Sequence, residues 1–309
     1  MRQIARRAMS YSIILALCTL SVAAPAWAGS FEASRVPATA QVVVHIDLDA
    51  VRGSQLRALF DKEVNEAMNE VASDLKKEGI PLAVSDLSAA TGITFWAEGD
   101  KNERGALIVS GLDARRVANA LAKVKGYQRT SSGGHTLHGF KDDDSVIGIH
   151  GGHVVAADDK DSVTTTLDVL AGRGKSLARS GKARRIGQSR GVLFAAVFEQ
   201  KIAQKIKQEA QSAIFKDINF QNGIVVARET RSDLVLTAEI ETSDVAGANQ
   251  LHKLAAGAIA FLEVAADDPD VAKLLDGVKI TSNGTRVTFT LTLPFKSLKT
   301  LVPALKSKI

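Results

Sequence analysis

The sequence predicts an α+β protein formed by tandem duplication of a β-α-β-β-α-β-β-α unit, with mainly antiparallel sheets and helices on one face. Three observations lead to this prediction: segments in which polar and apolar residues alternate, segments with an apolar residue at every third or fourth position, and the recurrence of both in the same order in the second half of the chain. The composition, with 45% hydrophobic and 24% charged residues, is typical of globular proteins and excludes a disordered or collagen-like chain. A length of 309 residues suggests about two domains.

The first 28 residues have the features of a secretory signal peptide. Three arginines within the first seven residues precede an apolar run at residues 13–24, and the Ala-Trp-Ala sequence of residues 26–28 matches the small-residue pattern of a cleavage site. We therefore predict export to the periplasm or to the outside of the cell. Cys18 lies inside the apolar run and follows a leucine where a lipoprotein signal needs a small residue, so we do not expect lipidation.

Cleavage after this leader would leave a nearly neutral chain without cysteine. The 39 Lys and Arg residues fall by three, to 36, against 34 Asp and Glu residues, which leaves a net charge of about +2. The exported chain can form no disulfide and therefore depends on its hydrophobic core. No later apolar run reaches the roughly 18 residues that a membrane-spanning helix needs, so we expect no transmembrane segment after cleavage.

The first copy begins with a half-buried strand at Gln41–Leu48, in which alternate residues share one face. A helix follows, whose apolar stripe runs from Leu56 to Leu75. The remaining elements are a hairpin of Ile93–Ala97 and Ala106–Ser110, a helix capped by Asp113, a hairpin of Val146–His150 and His153–Ala157, and a helix that starts at Asp161. Gly151 and Gly152 suit a two-residue turn in which both central residues have positive φ.

The second copy repeats this order. Its elements are a strand at Gly191–Glu199, a helix at Ile202–Ile214, a hairpin of Gly223–Arg228 and Leu234–Ile240, a helix with the apolar stripe Val245, Ala248, Leu251, Ala255 and Leu262, a hairpin of Val278–Ser282 and Thr285–Leu293, and a closing helix at Leu298–Leu305. Asn283-Gly284 is the strongest turn signal in the chain, and we expect Ser282 and Thr285 to flank it.

Duplication explains two matching element orders better than chance does, and the unit is close to the split βαβ pattern of ferredoxin-like folds. We place the domain limits at a tail of residues 29–35, a first repeat of residues 36–172, a linker of residues 173–190 and a second repeat of residues 191–309.

Three segments carry a resemblance to other proteins. They are VPATAQVVVHIDL at residues 36–48, GALIVSGLDARRV at residues 105–117 and HVVAADDKDSV at residues 153–163. Together with the leader and the degenerate second copy, this pattern resembles uncharacterised bacterial secreted proteins of duplicated α+β build. The resemblance implies that fold and a location in the cell envelope. It implies no functional residue, because none of these segments is a catalytic motif.

Four of the six histidines lie within 19 positions, beside three acidic residues at 142–144. Imidazole and carboxylate groups are ligands that zinc and copper accept. His150 and His153 flank the expected turn, so their Cβ atoms should lie about 5 Å apart on one side of the hairpin. We take this pair as the candidate metal ligands for zinc or copper; the alternative is a histidine pair at the solvent edge that holds no metal. His135 and His138 should point to opposite faces of a strand, so at most one of them could join the site.

Two further groups have a simpler structural interpretation. His45 and Asp47 share a strand face, but the chain contains no G-x-S-x-G or H-E-x-x-H motif, so a hydrogen-bonded pair on the sheet is favoured over an acid–base pair. The acidic clusters at residues 142–144 and 158–161 lack the spacing of a calcium-binding loop. We expect the first cluster to form a turn and the second to form a helix N-terminus.

The predicted linker contains seven basic residues and no acidic one. Arg179, Lys182, Arg184 and Arg185 are candidate contacts to an anionic surface, such as lipid head groups or an anionic polymer; the alternative is a solvated linker. Nucleic acid is not an expected partner, because no aromatic residues are interleaved with these cations and the protein is predicted to be exported.

The second face of the last hairpin differs between the copies. In the first copy this face carries Ile147, Ile149, Val154 and Ala156, whereas the equivalent face of the second copy is rich in threonine. An apolar second face needs a cover. The second repeat is the favoured cover, and a partner protein or a lipid-like ligand are the alternatives.

These observations together predict a non-enzymatic binding or scaffold protein of the bacterial envelope, with an envelope protein, a lipid or an anionic polymer as its partner. A metal-binding periplasmic protein that uses His150 and His153 is the alternative. A hydrolase whose site matches no known motif is the third possibility.

Overall fold

A computed structural model describes residues 30–55, 57–58, 84–95, 104–141, 143–180, 191–198, 218–265 and 274–299. The predicted signal peptide with Cys18 lies outside these residues. So do most of the predicted first helix of each copy and the closing helix beyond residue 299.

The chain divides into two compact units, residues 1–192 and 193–309. Both units contain antiparallel β-sheet and a small number of helices, which confirms the predicted α+β class. The tandem duplication and the predicted domain limits stay predictions.

The first unit contains seven described strands and three described α-helices. The strands are β1 (Val42–Asp47), β2 (Ala89–Phe95), β3 (Arg104–Ser110), β4 (Tyr127–Ser132), β5 (His135–Phe140), β6 (Asp143–His150) and β7 (His153–Ala157). The helices are α1 (Leu48–Arg52), α2 (Ala114–Leu121) and α3 (Lys160–Leu170). Each strand is antiparallel to its neighbours in the order β1-β2-β3-β7-β6-β5-β4.

The hairpin of β4 and β5 was not predicted from the sequence. Residues 128–131 of β4 are all exposed, so this strand lacks the alternation of polar and apolar residues that identifies the others. Among the described strands β4 pairs with β5 alone, which places it at the end of this sheet. Its polar residues are therefore in contact with solvent.

The first face of this sheet is covered by α3 at the strands β3, β5, β6 and β7. Val43, Ile108, Leu137 and Val155 share this face, and none of them is more than 3% exposed. Val163 and Leu167 of α3 are fully buried at the point where α3 approaches Gly148, which lies on the same face. The two layers therefore form the main core of this unit.

The second face of the same sheet is covered by α2. Leu112, Val117 and Leu121 form a buried cluster on that face. The strand residues that pack against this cluster include Val109, Ile147, Ile149 and Val154. Three of the four positions predicted to need a cover thus pack against α2 and Leu112 of the first unit itself. The prediction of helices on one face is wrong for this unit, because both faces of its strands are apolar and each receives a helix.

The segment before β1 packs against part of the predicted linker. The backbone N–H of Leu177 donates to the carbonyl of Val36 at 2.7 Å, and that of Ala38 donates to the carbonyl of Lys175 at 2.9 Å. Val36 and Leu177 are both buried. Residues 175–177 therefore belong to the folded part of the first unit.

The second unit contains five described strands and one long helix. They are β8 (Leu193–Val197), β9 (Phe220–Glu229), β10 (Asp233–Thr242), α4 (Val245–Ala265), β11 (Val278–Asn283) and β12 (Arg286–Pro294). The strands are antiparallel in the order β8-β9-β10-β12-β11. Ala248 and Leu251 of α4 form a buried cluster with Val287 of β12, so the first half of this helix covers the apolar face of the sheet.

Two turns differ in detail from the sequence predictions. Of the pair Gly151-Gly152, only Gly151 has a positive φ (57°), which is typical of a type II′ turn; two successive positive φ values occur instead at Gly133 and Gly134, between β4 and β5. In the second unit Asn283 pairs with Arg286. Residues 284–285 therefore form the turn, one position later than expected.

We expect Gly148→Ala to destabilise the first unit, because a Cβ atom at this position would lie 2.8 Å from Val163 Cγ1 and would also overlap Leu167. Overpacking of this kind costs about 1–3 kcal/mol of unfolding free energy, and thermal unfolding measures it. Gly152→Ala is the matched control, since its Cβ atom would make only an ordinary contact of 3.8 Å with Leu112 O. Equal unfolding temperatures for the two variants would contradict the close approach of α3 to β6.

Candidate functional site

Two histidines of the first unit are hydrogen-bonded to hydroxyl groups on the neighbouring strand. His45 Nδ1 lies 2.8 Å from Thr91 Oγ1, and His153 Nδ1 lies 2.9 Å from Ser110 Oγ. In both cases the two residues are direct partners in the strand register. The register of the strands thus places a hydroxyl group beside each imidazole. Each polar ring therefore has a hydrogen-bond partner within a largely buried sheet.

His138 forms a third contact of this type on the other face of the sheet. Its Nδ1 atom lies 2.8 Å from the hydroxyl oxygen of Tyr127, and the side chain is buried. Burial lowers the pKa of His138, and the positive charge of Arg129 lowers it further. The pKa of His153 is also lowered, first by burial and then by the charges of Arg35 and His150.

His150 and His153 are direct partners across the turn between β6 and β7, as the sequence predicted. Both side chains are partly exposed. In the described part of the chain, the His150 ring has no hydrogen-bond partner. Whether this pair binds a metal stays a prediction.

His135 belongs to a different cluster. Its Nε2 atom lies 2.9 Å from Asp168 Oδ1, and Nη2 of Arg173 donates to the same oxygen at 2.6 Å. The Arg173 guanidinium and the His135 ring together lower the pKa of Asp168. Arg173 also donates to the carbonyl of Gly133 at 3.2 Å, so the cluster attaches the β4–β5 turn to the end of α3.

Three of the four clustered histidines have hydrogen-bond partners of their own: Asp168 for His135, Tyr127 for His138 and Ser110 for His153. His135 is in contact with α3, on the first face, and His138 is in contact with Tyr127, on the second, in agreement with the expected opposite orientation. Across the residues that the structure describes, no group of three or more His, Cys, Asp or Glu side chains is arranged to hold a metal ion.

The acidic residues that the sequence singled out act mainly as helix caps. Asp47 accepts a hydrogen bond of 2.6 Å from the backbone N–H of Ala50 at the start of α1, and burial raises its pKa. Asp159, and not Asp161, is the cap of α3, since it accepts from the backbone N–H of Ser162 at 2.8 Å.

Two other acidic residues also bind nearby backbone groups. Asp113 caps α2 as predicted, and these hydrogen bonds lower its pKa. Asp143 accepts from the backbone N–H of Ser145. Each of these carboxylates therefore accepts a hydrogen bond from the backbone of a residue two or three positions further along the chain.

The predicted basic surface is described only in part. Arg173 is paired with Asp168, so its charge is compensated within the fold. Arg179 lies exposed at the end of the short 3-10 helix Leu177–Arg179. Lys182, Arg184 and Arg185 lie outside the described residues. Contact of Arg179 and these three residues with an anionic surface stays a prediction.

The last two turns of α4 expose apolar side chains. The exposed fractions are 71% for Phe261, 50% for Leu262 and 89% for Val264, and we call these three residues the apolar end of α4. The sequence placed Leu262 in the apolar stripe of this helix, together with Val245, which is 51% exposed. Both residues are exposed because the sheet covers only the middle of the stripe, around Ala248 and Leu251. Periodicity indicates which residues share a helix face, but not how far a neighbour extends along it.

Within the described ranges, the helices are either too short or too polar to cross a lipid bilayer.

Comparison with known proteins gives a likeness of fold alone. No protein-family model matches the chain, and no curated protein matches it. Among solved structures, crystal form III of TP0453 is 11% identical, with a TM-score of 0.49, and the match covers 89% of this chain and 98% of that one. Crystal form IV of TP0453 is also 11% identical, with a TM-score of 0.46 and coverage of 89% and 96%. No functional residue is transferred from these structures.

We expect the stability of the protein to decrease as the pH falls below about 6.5, the ordinary pKa of histidine. The unfolded chain binds protons there, whereas burial lowers the pKa of folded His138 and His153. The stabilisation by these neutral rings is therefore complete above that pH and is lost as the pH falls towards the lowered pKa. Asp168 does not contribute to this change in stability, because its pKa is lowered from the ordinary value of 3.8 and the carboxyl group stays ionised in this pH range.

Urea unfolding at about pH 7.5 and pH 5.5 measures this effect, one pH on each side of the histidine pKa. His138→Gln should reduce the difference in unfolding free energy between the two pH values. A difference that is unchanged in the variant would contradict the role of His138.

Proposed function

We propose that this protein is an exported, non-enzymatic binding or scaffold protein of the bacterial envelope. Its binding surface is the apolar end of α4, and its partner is an apolar surface of a lipid assembly or of another envelope protein. Export rests on the leader-like segment of residues 1–28, and the envelope location rests on the sequence resemblance.

The single observation that carries this proposal is the exposure of Phe261, Leu262 and Val264. Contiguous exposed apolar side chains on a protein surface are typical of interaction sites. Glu263 is the one charged residue between Gly257 and Val264, so this part of the helix has little to favour its contact with water. Removal of such side chains from water is favourable by roughly 25 cal/mol per Å² of apolar area, from which the entropic cost of association must be subtracted.

The histidine contacts favour a structural role over catalysis. A serine nucleophile needs a base that is itself oriented by a third group. Ser110 is only 8% exposed, and in the described part of the chain no carboxylate is hydrogen-bonded to His153. The Ser110–His153 contact joins direct partners in the sheet, which explains it without a reaction.

We expect the double variant Phe261→Gln/Val264→Gln to lose binding to apolar surfaces while it keeps its fold, because both side chains are exposed and glutamine is a good helix former. Two assays identify the partner class. Co-sedimentation with vesicles of phosphatidylethanolamine and phosphatidylglycerol tests a lipid surface, and sedimentation velocity tests association between protein molecules. Circular dichroism checks the fold.

The matched control is Ala256→Gln/Ala260→Gln, which changes two exposed alanines on the same helix. This control should bind as the wild type does. If the wild type neither binds vesicles nor associates, or if both double variants behave alike, the apolar end of α4 is not the binding surface.

A further inference from the structure

We propose that His150 and His153 form a binding site for one borderline divalent cation, Zn²⁺ or Cu²⁺, in which Ser110 orients the His153 ring. This site is independent of the apolar end of α4. It is formed by three residues on the adjacent strands β3, β6 and β7.

The strand register places the two imidazoles together. His150 and His153 flank the two-residue turn at Gly151-Gly152 and are direct partners in an antiparallel pair. Side chains of such partners lie on the same face of the sheet, with Cβ atoms about 5 Å apart. Two ring nitrogens can then approach one ion at the zinc–nitrogen distance of about 2.0–2.1 Å.

Ser110 provides the outer contact that metal-binding histidines usually have. When the His153 ring carries its proton on Nδ1, it donates to Ser110 Oγ over 2.9 Å, and Nε2 presents a lone pair. A hydrogen bond of this kind fixes the tautomer and the ring orientation of a metal ligand. The sheet holds Ser110 directly opposite His153, so this orientation exists before any ion arrives.

The accessibility of the pair also favours a ligand role. The other three histidines of the first unit are buried and hydrogen-bonded to Thr91, Tyr127 or Asp168. His150 and His153 are partly exposed instead, and within the described residues His150 has no hydrogen-bond partner that would compete with an ion. An ion can therefore reach this pair from solvent and complete its coordination with water.

One positive charge acts against the site. The positive charge of Arg35 interacts electrostatically with His153 and disfavours a second cation there. Arg35 itself forms an ion pair with Glu32, with an N–O distance of 2.8 Å. This pairing compensates part of the charge. With two protein ligands and a nearby cation, the site holds its ion in rapid exchange, and nitrogen ligands favour Cu²⁺ and Zn²⁺ over Mg²⁺ or Ca²⁺.

The experiment is titration of the untagged protein with ZnCl₂ by calorimetry, and with CuCl₂ by electron paramagnetic resonance. His150→Gln is the main variant, because it removes one ligand and leaves the Ser110–His153 contact in place. Ser110→Ala tests the orienting role. The control is His252→Gln, since His252 is a partly exposed histidine on α4.

We expect one bound ion per wild-type chain, with nitrogen splitting in the Cu²⁺ spectrum. His150→Gln should lose one nitrogen from that splitting and should raise the Kd for Zn²⁺ at least tenfold, and Ser110→Ala should raise it about tenfold with the stoichiometry kept. The control should bind as the wild type does.

Absence of binding at about 1 mM metal, or an unchanged Kd in His150→Gln, would overturn the proposal for this borderline-metal site. Thermal unfolding with chelator and with Zn²⁺ gives an independent measurement, because an ion that binds only the folded state must raise the unfolding temperature. Neither result depends on the behaviour of Phe261 and Val264.

Discussion

The apolar character of both faces of the sheet is the constraint that determines the architecture of the first unit. Successive side chains of a strand point to opposite faces, so strands that are apolar throughout must be covered twice. α3 covers one face and contacts it where Gly148 has no side chain, and α2 covers the other through Val117 and Leu121. In the second unit one face of the sheet needs a cover. α4 packs on this apolar face, and the alternate positions of β12 carry threonine.

A sheet that is covered on both faces leaves few places for an unpaired polar group. Each buried imidazole in the first unit therefore lies within hydrogen-bonding distance of a hydroxyl or carboxylate group, at His45, His135 and His138. The pair at the β6–β7 turn differs because it reaches the edge of the covered area. That difference separates the three buried histidines from the pair that we propose as a metal site.

The sequence predicted those elements whose signals are local. The strand around Val43, the β2–β3 and β6–β7 hairpins and the Asp113 cap all follow from alternation, turn residues and capping chemistry, and they are observed. The pairing of His150 with His153 follows from the turn alone. The Ser110–His153 contact does not, because it depends on β3 lying beside β7, a register set by packing between distant segments.

The failures have equally specific causes. β4 is exposed on both faces and therefore shows no periodicity. The helix stripes identified apolar faces correctly, but they could not indicate that α2 and α3 pack on opposite sides of one sheet. Nor could they indicate that the sheet of the second unit ends before Leu262.

The polar character of β4 has a consequence for crowded solutions. A strand at the end of a sheet offers unpaired backbone groups, to which the same strand of another molecule can add. In β4 the exposed side chains are Gln128, Arg129, Thr130 and Ser131, which retain their hydration and provide no apolar strip for a neighbour to bury. Growth of ordered aggregates from this edge is therefore disfavoured, because pairing through β4 would have to remove water from polar and charged side chains without burying apolar surface.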